Sequence, residues 1–167
     1  ETMIGFQIDV TGYQHKEGKL DMYTGHKIAP GFFAWAIPTG TTTRIGTFSR
    51  PDLLGSRSSE ETLTELINHE LWKHRFDGCS EVGRYCGPVP AKPIRKPAVG
   101  RVFVFGDAAG LCKPTTGGGI GPGFLHVDNS LELISNVIGS DRPNLNATDR
   151  LARQIIKPIM KRHNRAR

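Results

Sequence analysis

The chain has 167 residues, 37% hydrophobic and 23% charged, with 20 glycines, 11 prolines and a net charge of +6. That length suffices for one ordinary core, and the glycine and proline content indicates many turns, so a globular piece is expected. No stretch approaches the roughly 18 apolar residues needed to span a bilayer, and no secretory signal is visible. The sequon Asn146-Ala147-Thr148 therefore carries no weight, and the expected setting is cytoplasmic.

In chain order, Thr2 to Val10 and Leu20 to Thr24 read as strands joined by a polar turn at Gln14-His15-Lys16-Glu17-Gly18. Phe32 to Ile37 and Thr42 to Phe48 form the next pair through Pro38-Thr39-Gly40. Consecutive strands with short loops predict an antiparallel meander. Within Pro30-Gly31-Phe32-Phe33-Ala34-Trp35-Ala36-Ile37-Pro38, alternation puts Phe33, Trp35 and Ile37 on one face and Phe32, Ala34 and Ala36 on the other. The prolines suit the strand boundaries. A large aromatic face beside a small one fits a groove for a flat ring or an isoprenoid tail; it fits the core of a sheet as well.

Arg50-Pro51-Asp52 breaks the sheet, and Ser58-Ser59-Glu60-Glu61 supplies a capping box for a helix with Leu63, Leu66, Ile67 and Leu71 on one face. Trp72, His74 and Phe76 flank its end, and Cys86 to Pro93 is extended and proline-rich.

The most informative stretch runs from Arg101 to Ile120. An apolar run, Val102 to Phe105, reads as a strand buried on both faces that ends in Gly106-Asp107, after which a glycine-rich turn opens a helix. Free N–H groups at a helix start favour an anionic group, and glycines let a large ligand approach the main chain. Asp107 at the carboxyl end of a strand suits a ligand hydroxyl. Alone, Gly-Asp is an ordinary strand-end turn; the three consecutive glycines after Pro114 favour a ligand. The helix that follows carries Phe124, Leu125, Leu131, Leu133, Ile134 and Val137, and a last helix from about Asn146 carries Leu151, Ile155, Ile156 and Met160, with Pro158 expected to kink it.

The run Gly106-Asp107-Ala108-Ala109-Gly110, then Pro114 and Thr116-Gly117-Gly118-Gly119-Ile120, resembles the second FAD-binding motif of the p-hydroxybenzoate hydroxylase-like flavoproteins, above all the geranylgeranyl reductase family. The Pro30–Pro38 strand is similar to the one lining that family's substrate cavity, and Gly87-Pro88-Val89-Pro90 stands where the family links back to its cofactor domain. The resemblance implies an α+β fold: an antiparallel substrate-domain sheet plus the C-terminal strand and helices of an FAD-binding domain. It divides the chain into 1–97 (sheet and helix), 98–140 (FAD-binding part) and 141–167 (start of a helical region).

It further implies FAD as cofactor, with Gly106 among the cofactor-binding residues, Asp107 at the ribityl chain, Pro114 beside the ring, and Gly117, Gly118, Gly119 and Ile120 at the flavin pyrimidine edge. Phe33, Trp35 and Ile37 would line the substrate site. The implied activity is reduction of C=C bonds in prenyl chains of lipids or related isoprenoids, with an electron donor and a catalytic side chain left unassigned. A flavin halogenase or monooxygenase is the alternative: halogenases carry a Trp-x-Trp-x-Ile-Pro strand close to Phe33-Ala34-Trp35-Ala36-Ile37-Pro38, and the Phe33 and the intact Gly117–Ile120 favour the reductase. A non-catalytic binding or scaffold domain is a third reading.

The Gly-x-Gly-x-x-Gly turn that holds the ADP half of FAD in this superfamily is not in the sequence, so the chain is expected to be the carboxyl-side part of a larger protein, inactive alone. Arg150, Arg153, Lys157, Lys161, Arg162, Arg165 and Arg167 crowd the carboxyl end. A solvated helix face is the plain reading, attraction to anionic lipid the functional one, hence possible peripheral membrane association; nucleic acid is not expected, because no stacking aromatics interleave with the charge. Cys79 and Cys86 suit a local disulfide only if oxidised, Cys112 lies inside the glycine motif, and reduced thiols are the default. No metal spacing exists among the six histidines, and His126 sits where the family places a small residue.

Overall fold

The structure, a computed structural model, describes residues 2–90, 92–113 and 115–164. It forms two compact units, Thr2–Pro88 and Val89 onward.

The first unit is built on a five-stranded sheet in the order β2-β3-β4-β1-β5, from β1 (Thr2–Thr11), β2 (Asp21–Tyr23), β3 (Ala34–Pro38), β4 (Thr43–Ser49) and β5 (Ser80–Pro90). The pairs β2–β3, β3–β4 and β1–β4 are antiparallel, with Ile8 opposite Ile45 and Ile45 opposite Ala36. Phe6, Ile8, Val10, Ala34, Ala36 and Ile45 point to one face. There α2 (Ser59–Ile67) covers β1 and β4 with Leu63 and Leu66.

The meander holds for β2-β3-β4 only; β1 does not pair with β2 but lies between β4 and β5. The cause is in the connection between them. Tyr13 turns inward, its hydroxyl donating to Asp21 Oδ2 at 2.8 Å and meeting the Tyr23 hydroxyl, while the Gln14 N–H donates to Arg75 O at 3.1 Å. The turn from Gln14 to Gly18 stays exposed, but Tyr13 just before it is held in the core, which leads the chain away from a β1–β2 hairpin.

The capping box forms as expected: the Glu61 N–H donates to Ser58 Oγ at 3.1 Å and the Ser58 N–H to Glu61 Oε2 at 2.6 Å. The helix stops earlier than its apolar spacing predicts. Backbone and side chain of Asn68 both donate to Thr64 O, so Leu71 falls beyond the helix and is 71% exposed. Cys79 and Cys86 are free thiols. With Cys86 inside β5 and Cys79 just before it, seven residues of extended chain separate them by roughly 20 Å, too far for a local disulfide.

In the second unit β6 (Ala98–Val99) pairs antiparallel with β7 (Val102–Phe103), and α3 (Ile120–Ile138) packs on α4 (Leu145–Asn164). Ala98, Leu133 and Ala152 meet in one small core, and Ala109, Leu111 and Ile156 in another. The run Val102–Phe105 is not a strand buried on both faces. Only two of its residues pair, with one neighbour, and Val102 is exposed; an apolar run has no cover without strands on both sides.

On α3 the buried positions are Pro122, His126, Ser130, Leu133 and Val137, one helical stripe. Phe124, Leu125 and Leu131, expected among its packing residues, face outward instead, because a second stripe (Ile120, Phe124, Val127, Leu131, Ile138) lies on the opposite side. Asn144 Oδ1 accepts from the Ala147 N–H at 3.0 Å and begins α4, which runs through Pro158. Its buried positions are Thr148, Ala152, Ile156 and Ile159, leaving Leu151 exposed against expectation. Among the described residues no helix is long and apolar enough to cross a membrane, and no cluster of side chains suits a metal ion.

Candidate functional site

Several positions of the glycine-rich turn are closed to a side chain, by backbone conformation or by lack of room. Gly106 (φ 58°) starts a 3-10 turn over Gly106–Ala109, and Gly110 (φ 72°) ends it in the left-handed region. A Cβ on Gly110 would stand 1.9 Å from Lys92 O. The chain then folds back on itself, the Gly117 N–H donating to Lys113 O at 2.8 Å and the Lys113 N–H to Gly118 O at 3.1 Å.

This return places Gly119, the N-cap of α3, against Asp107: a Cβ there would lie 1.6 Å from Asp107 Oδ1. No side chain caps α3, so a charged acceptor and unsatisfied helix N–H groups share one solvent-exposed spot. Gly106, Asp107, Gly117, Gly118, Gly119 and Ile120 are thus one constellation, with Ile120 the first residue of α3 and 78% exposed. Pro114 lies outside the described residues.

In the first unit the sheet face opposite the core is aromatic. Trp35 and Ile37 point there as alternation predicts, and Phe33 packs edge-on to Trp35 with ring centroids 6.0 Å apart. Phe48, from β4, joins them at 5.1 Å from Trp35. Two glycines make room: a Cβ on Gly46 would come within 2.4 Å of the Trp35 ring, and one on Gly5 within 2.7 Å of Phe48. Farther along, Arg44 forms a two-pronged ion pair with Asp9 at 2.8 and 2.9 Å and lies over the Tyr85 ring. That pair holds the Asp9 carboxyl below the usual carboxylate range, chiefly through the hydrogen bond from Arg44.

No family model matches the chain. It is 33% identical over 128 residues to the digeranylgeranylglycerophospholipid reductase of Methanocaldococcus jannaschii, covering 76% of this chain and 31% of that protein. Among solved structures, a geranylgeranyl bacteriochlorophyll reductase-like protein from Thermoplasma acidophilum superposes with a TM-score of 0.71 over 96% of this chain and 39% of its own, at 22% identity. The chain belongs to the geranylgeranyl reductase family. It spans about a third of the length of the relatives it matches. A flavin-dependent brominase shares the fold, with a TM-score of 0.65 over 92% of this chain and 40% of its own, at 15% identity.

The α+β architecture is thus that of the geranylgeranyl reductase and flavin halogenase structures. The family motif here also holds two residues of its own character. Cys112 is fully buried, and burial together with a hydrogen bond to Asp107 and that residue's charge pushes its thiol up to about 12, so it stays protonated. His126, where the resemblance leads one to expect a small residue, is accommodated: it is 2% exposed, with its ring 4.7 Å from that of Phe105. Burial lowers its pKa, and its Nδ1 has no partner.

Sequence reasoning missed Gly46, Gly5 and Phe48, whose contribution appears only when the register sets Gly46 opposite Trp35 and Gly5 opposite Phe48. It also missed a cavity of about 350 Å³ at the β2 edge, lined by Asp21, Tyr23, Trp72 and Arg75 among others. Arg75 and Asp21 pair across it at 2.6 Å; no local motif announces a site assembled from residues fifty positions apart.

Proposed function

We propose that this chain is part of an FAD-dependent reductase that saturates C=C bonds in the prenyl chains of membrane lipids or related isoprenoids. The observation that carries the reading is the Asp107 carboxylate seated against Gly119 at the uncapped start of α3, within a motif otherwise matched at every position.

The residues present fit the cofactor. Asp107 would accept hydrogen bonds from the ribityl hydroxyls, and Gly119 leaves that carboxylate its room. The N–H groups at the start of α3 would stabilise negative charge on the flavin ring. Reduced FAD supplies the hydride; this chain positions the alkene and excludes water. Phe33, Trp35 and Ile37 wall the prenyl chain, with Phe48 and Gly46 fixing the indole plane. On this reading residues 1–97 form the substrate sheet and helix, 98–140 the carboxyl-side part of the FAD-binding domain, and 141–167 the start of a helical region. The enzyme works on the cytoplasmic side and meets its substrate at a membrane surface.

The second reading, a flavin halogenase or monooxygenase, rests on the shared fold and on the likeness of the Phe33–Pro38 strand to that of halogenases; a scaffold domain is the third. The test is incubation of the intact protein with FAD, dithionite and a digeranylgeranylglycerophospholipid, followed by mass spectrometry. Reductase action adds a pair of hydrogens for each bond reduced. A halogenated or hydroxylated product under aerobic turnover, or lipid binding with no flavin retained, overturns it.

A further inference from the structure

The charge of the chain is divided unevenly. Residues 1–88 hold 9 Lys and Arg against 11 Asp and Glu, a balance of −2, while residues 89–167 hold 13 against 5, a balance of +8. The excess is ordered along α4. Arg150, Arg153, Lys157 and Lys161 are spaced by three, four and four residues, which aligns them on one helix face. All four are exposed, over about 16 Å of helix.

The opposite face of α4 is fixed to the protein through Ala152, Ile156 and Ile159. Ile156 packs with Ala109 and Leu111, so the helix is anchored directly behind the glycine-rich turn. Asp149 is the single acidic residue in α4, and it pairs with Arg153. Arg150, Lys157 and Lys161 have no ion pair among the described residues. A solvated helix of ordinary kind mixes signs along such a face; here the one carboxylate beside the row, Asp149, is taken up by Arg153 and leaves the other three cations unbalanced.

We infer that the Arg150–Lys161 face of α4 is a docking surface for an anionic lipid bilayer, which holds the glycine-rich turn close to the membrane that contains the substrate. The choice of a bilayer over other polyanions rests on the reading of the chain as a prenyl-lipid reductase. It is supported by the flatness of the array: four cations in one row match a plane of headgroups, and no aromatic side chain stands in the row to stack on bases.

The test is co-sedimentation of the full chain with vesicles of phosphatidylcholine alone and of phosphatidylcholine mixed with phosphatidylglycerol, without flavin or isoprenoid lipid. Binding is expected only to the mixed vesicles, falling steeply with salt as the screening length shortens. Replacing the three unpaired cations together (Arg150→Gln, Lys157→Gln and Lys161→Gln) is expected to lower partitioning by roughly a hundredfold, with an unchanged melting temperature because all three are exposed. Neutralising Lys16 and Lys19, exposed in the first unit, is expected to leave binding as it was.

Equal binding to neutral vesicles, an unaffected triple variant, or an equal loss from the Lys16 and Lys19 control overturns the inference. So does capture by duplex DNA with no response to vesicles. Should the triple variant fail to fold, salt titration of the unaltered chain decides alone: salt-insensitive binding, or none, overturns it. Prenyl reduction is assayed separately on detergent-dispersed lipid, where a failure strikes the reductase reading and leaves the vesicle result standing.

Discussion

Gly46→Ala is the sharpest perturbation of the aromatic face. Gly46 pairs with Trp35 across β3 and β4, and a methyl there would stand 2.4 Å from Trp35 Cζ2 and 2.9 Å from Gln7 Cβ. Its backbone is ordinary strand, so the penalty is steric alone. The indole is 9% exposed and hemmed by Phe33 and Phe48, which removes the easy escape of a swinging ring. Overpacking costs about 1–3 kcal/mol, and obstruction from two strands puts this site near the top of that range. Removing a strand glycine returns about 0.5–1 kcal/mol of backbone entropy. A net loss of about 2 kcal/mol lowers the melting temperature by roughly 4–8 °C in a protein of this size. Trp35→Ala alone costs about 3–5 kcal/mol. In the double variant the methyl finds the room the indole vacated, so the two losses combine to less than their sum by about 2 kcal/mol. Urea unfolding of the four proteins measures this cycle. Full stability of Gly46→Ala, or strict additivity, would show that Gly46 is not the seat of Trp35.

Asp107→Ala is expected to weaken FAD binding by about 1.5–3 kcal/mol, a ten- to hundredfold rise in Kd by isothermal titration; an unchanged Kd makes Asp107 a plain turn residue. Trp35→Ala is expected to weaken a long isoprenoid about tenfold or more in the surviving folded fraction, with FAD affinity unaltered; lost stability with intact substrate affinity assigns Trp35 to the fold alone. Burial lowers the His126 pKa in the fold. Below its ordinary value near 6.5 the unfolded chain therefore takes up a proton that the folded chain resists, and stability falls with falling pH. His126→Leu is expected to flatten the slope between about pH 6.5 and 5 in denaturant titrations, and an unaltered slope refutes it. Ser58→Ala, which deletes a capping-box acceptor, is expected to cost about 0.5–2 kcal/mol on the same assay.

What was legible in the sequence was what short-range chemistry dictates. The Ser58–Glu61 box, the alternation of Trp35 and Ile37, and the helix opening at Ile120 follow from spacing and appear as expected, although β3 begins only at Ala34 and Phe33 reaches Trp35 from the segment before it. The meeting of Asp107 with Gly119 was not legible in the sequence, because it depends on how Lys113 to Gly118 folds back. Most of the misses come from tertiary pairing, and the end of α2 is the local exception. The position of β1 was decided by Tyr13 hydrogen-bonding into the core. The end of α2 was decided by Asn68. The exposure of Val102 was decided by the number of strands beside it, which a four-residue apolar run does not encode.

The outward stripe of α3 has a colloidal consequence. Ile120, Phe124, Val127, Leu131 and Ile138 form a greasy ridge about 27 Å long on a helix whose other side is already packed. Ridges of this size exceed the scattered apolar residues that water tolerates. Two molecules that collide ridge to ridge each hide surface that neither hides alone. Solubility is therefore expected to rise when one glutamate replaces Val127 or Leu131, both outside the buried stripe, as turbidity against concentration would measure.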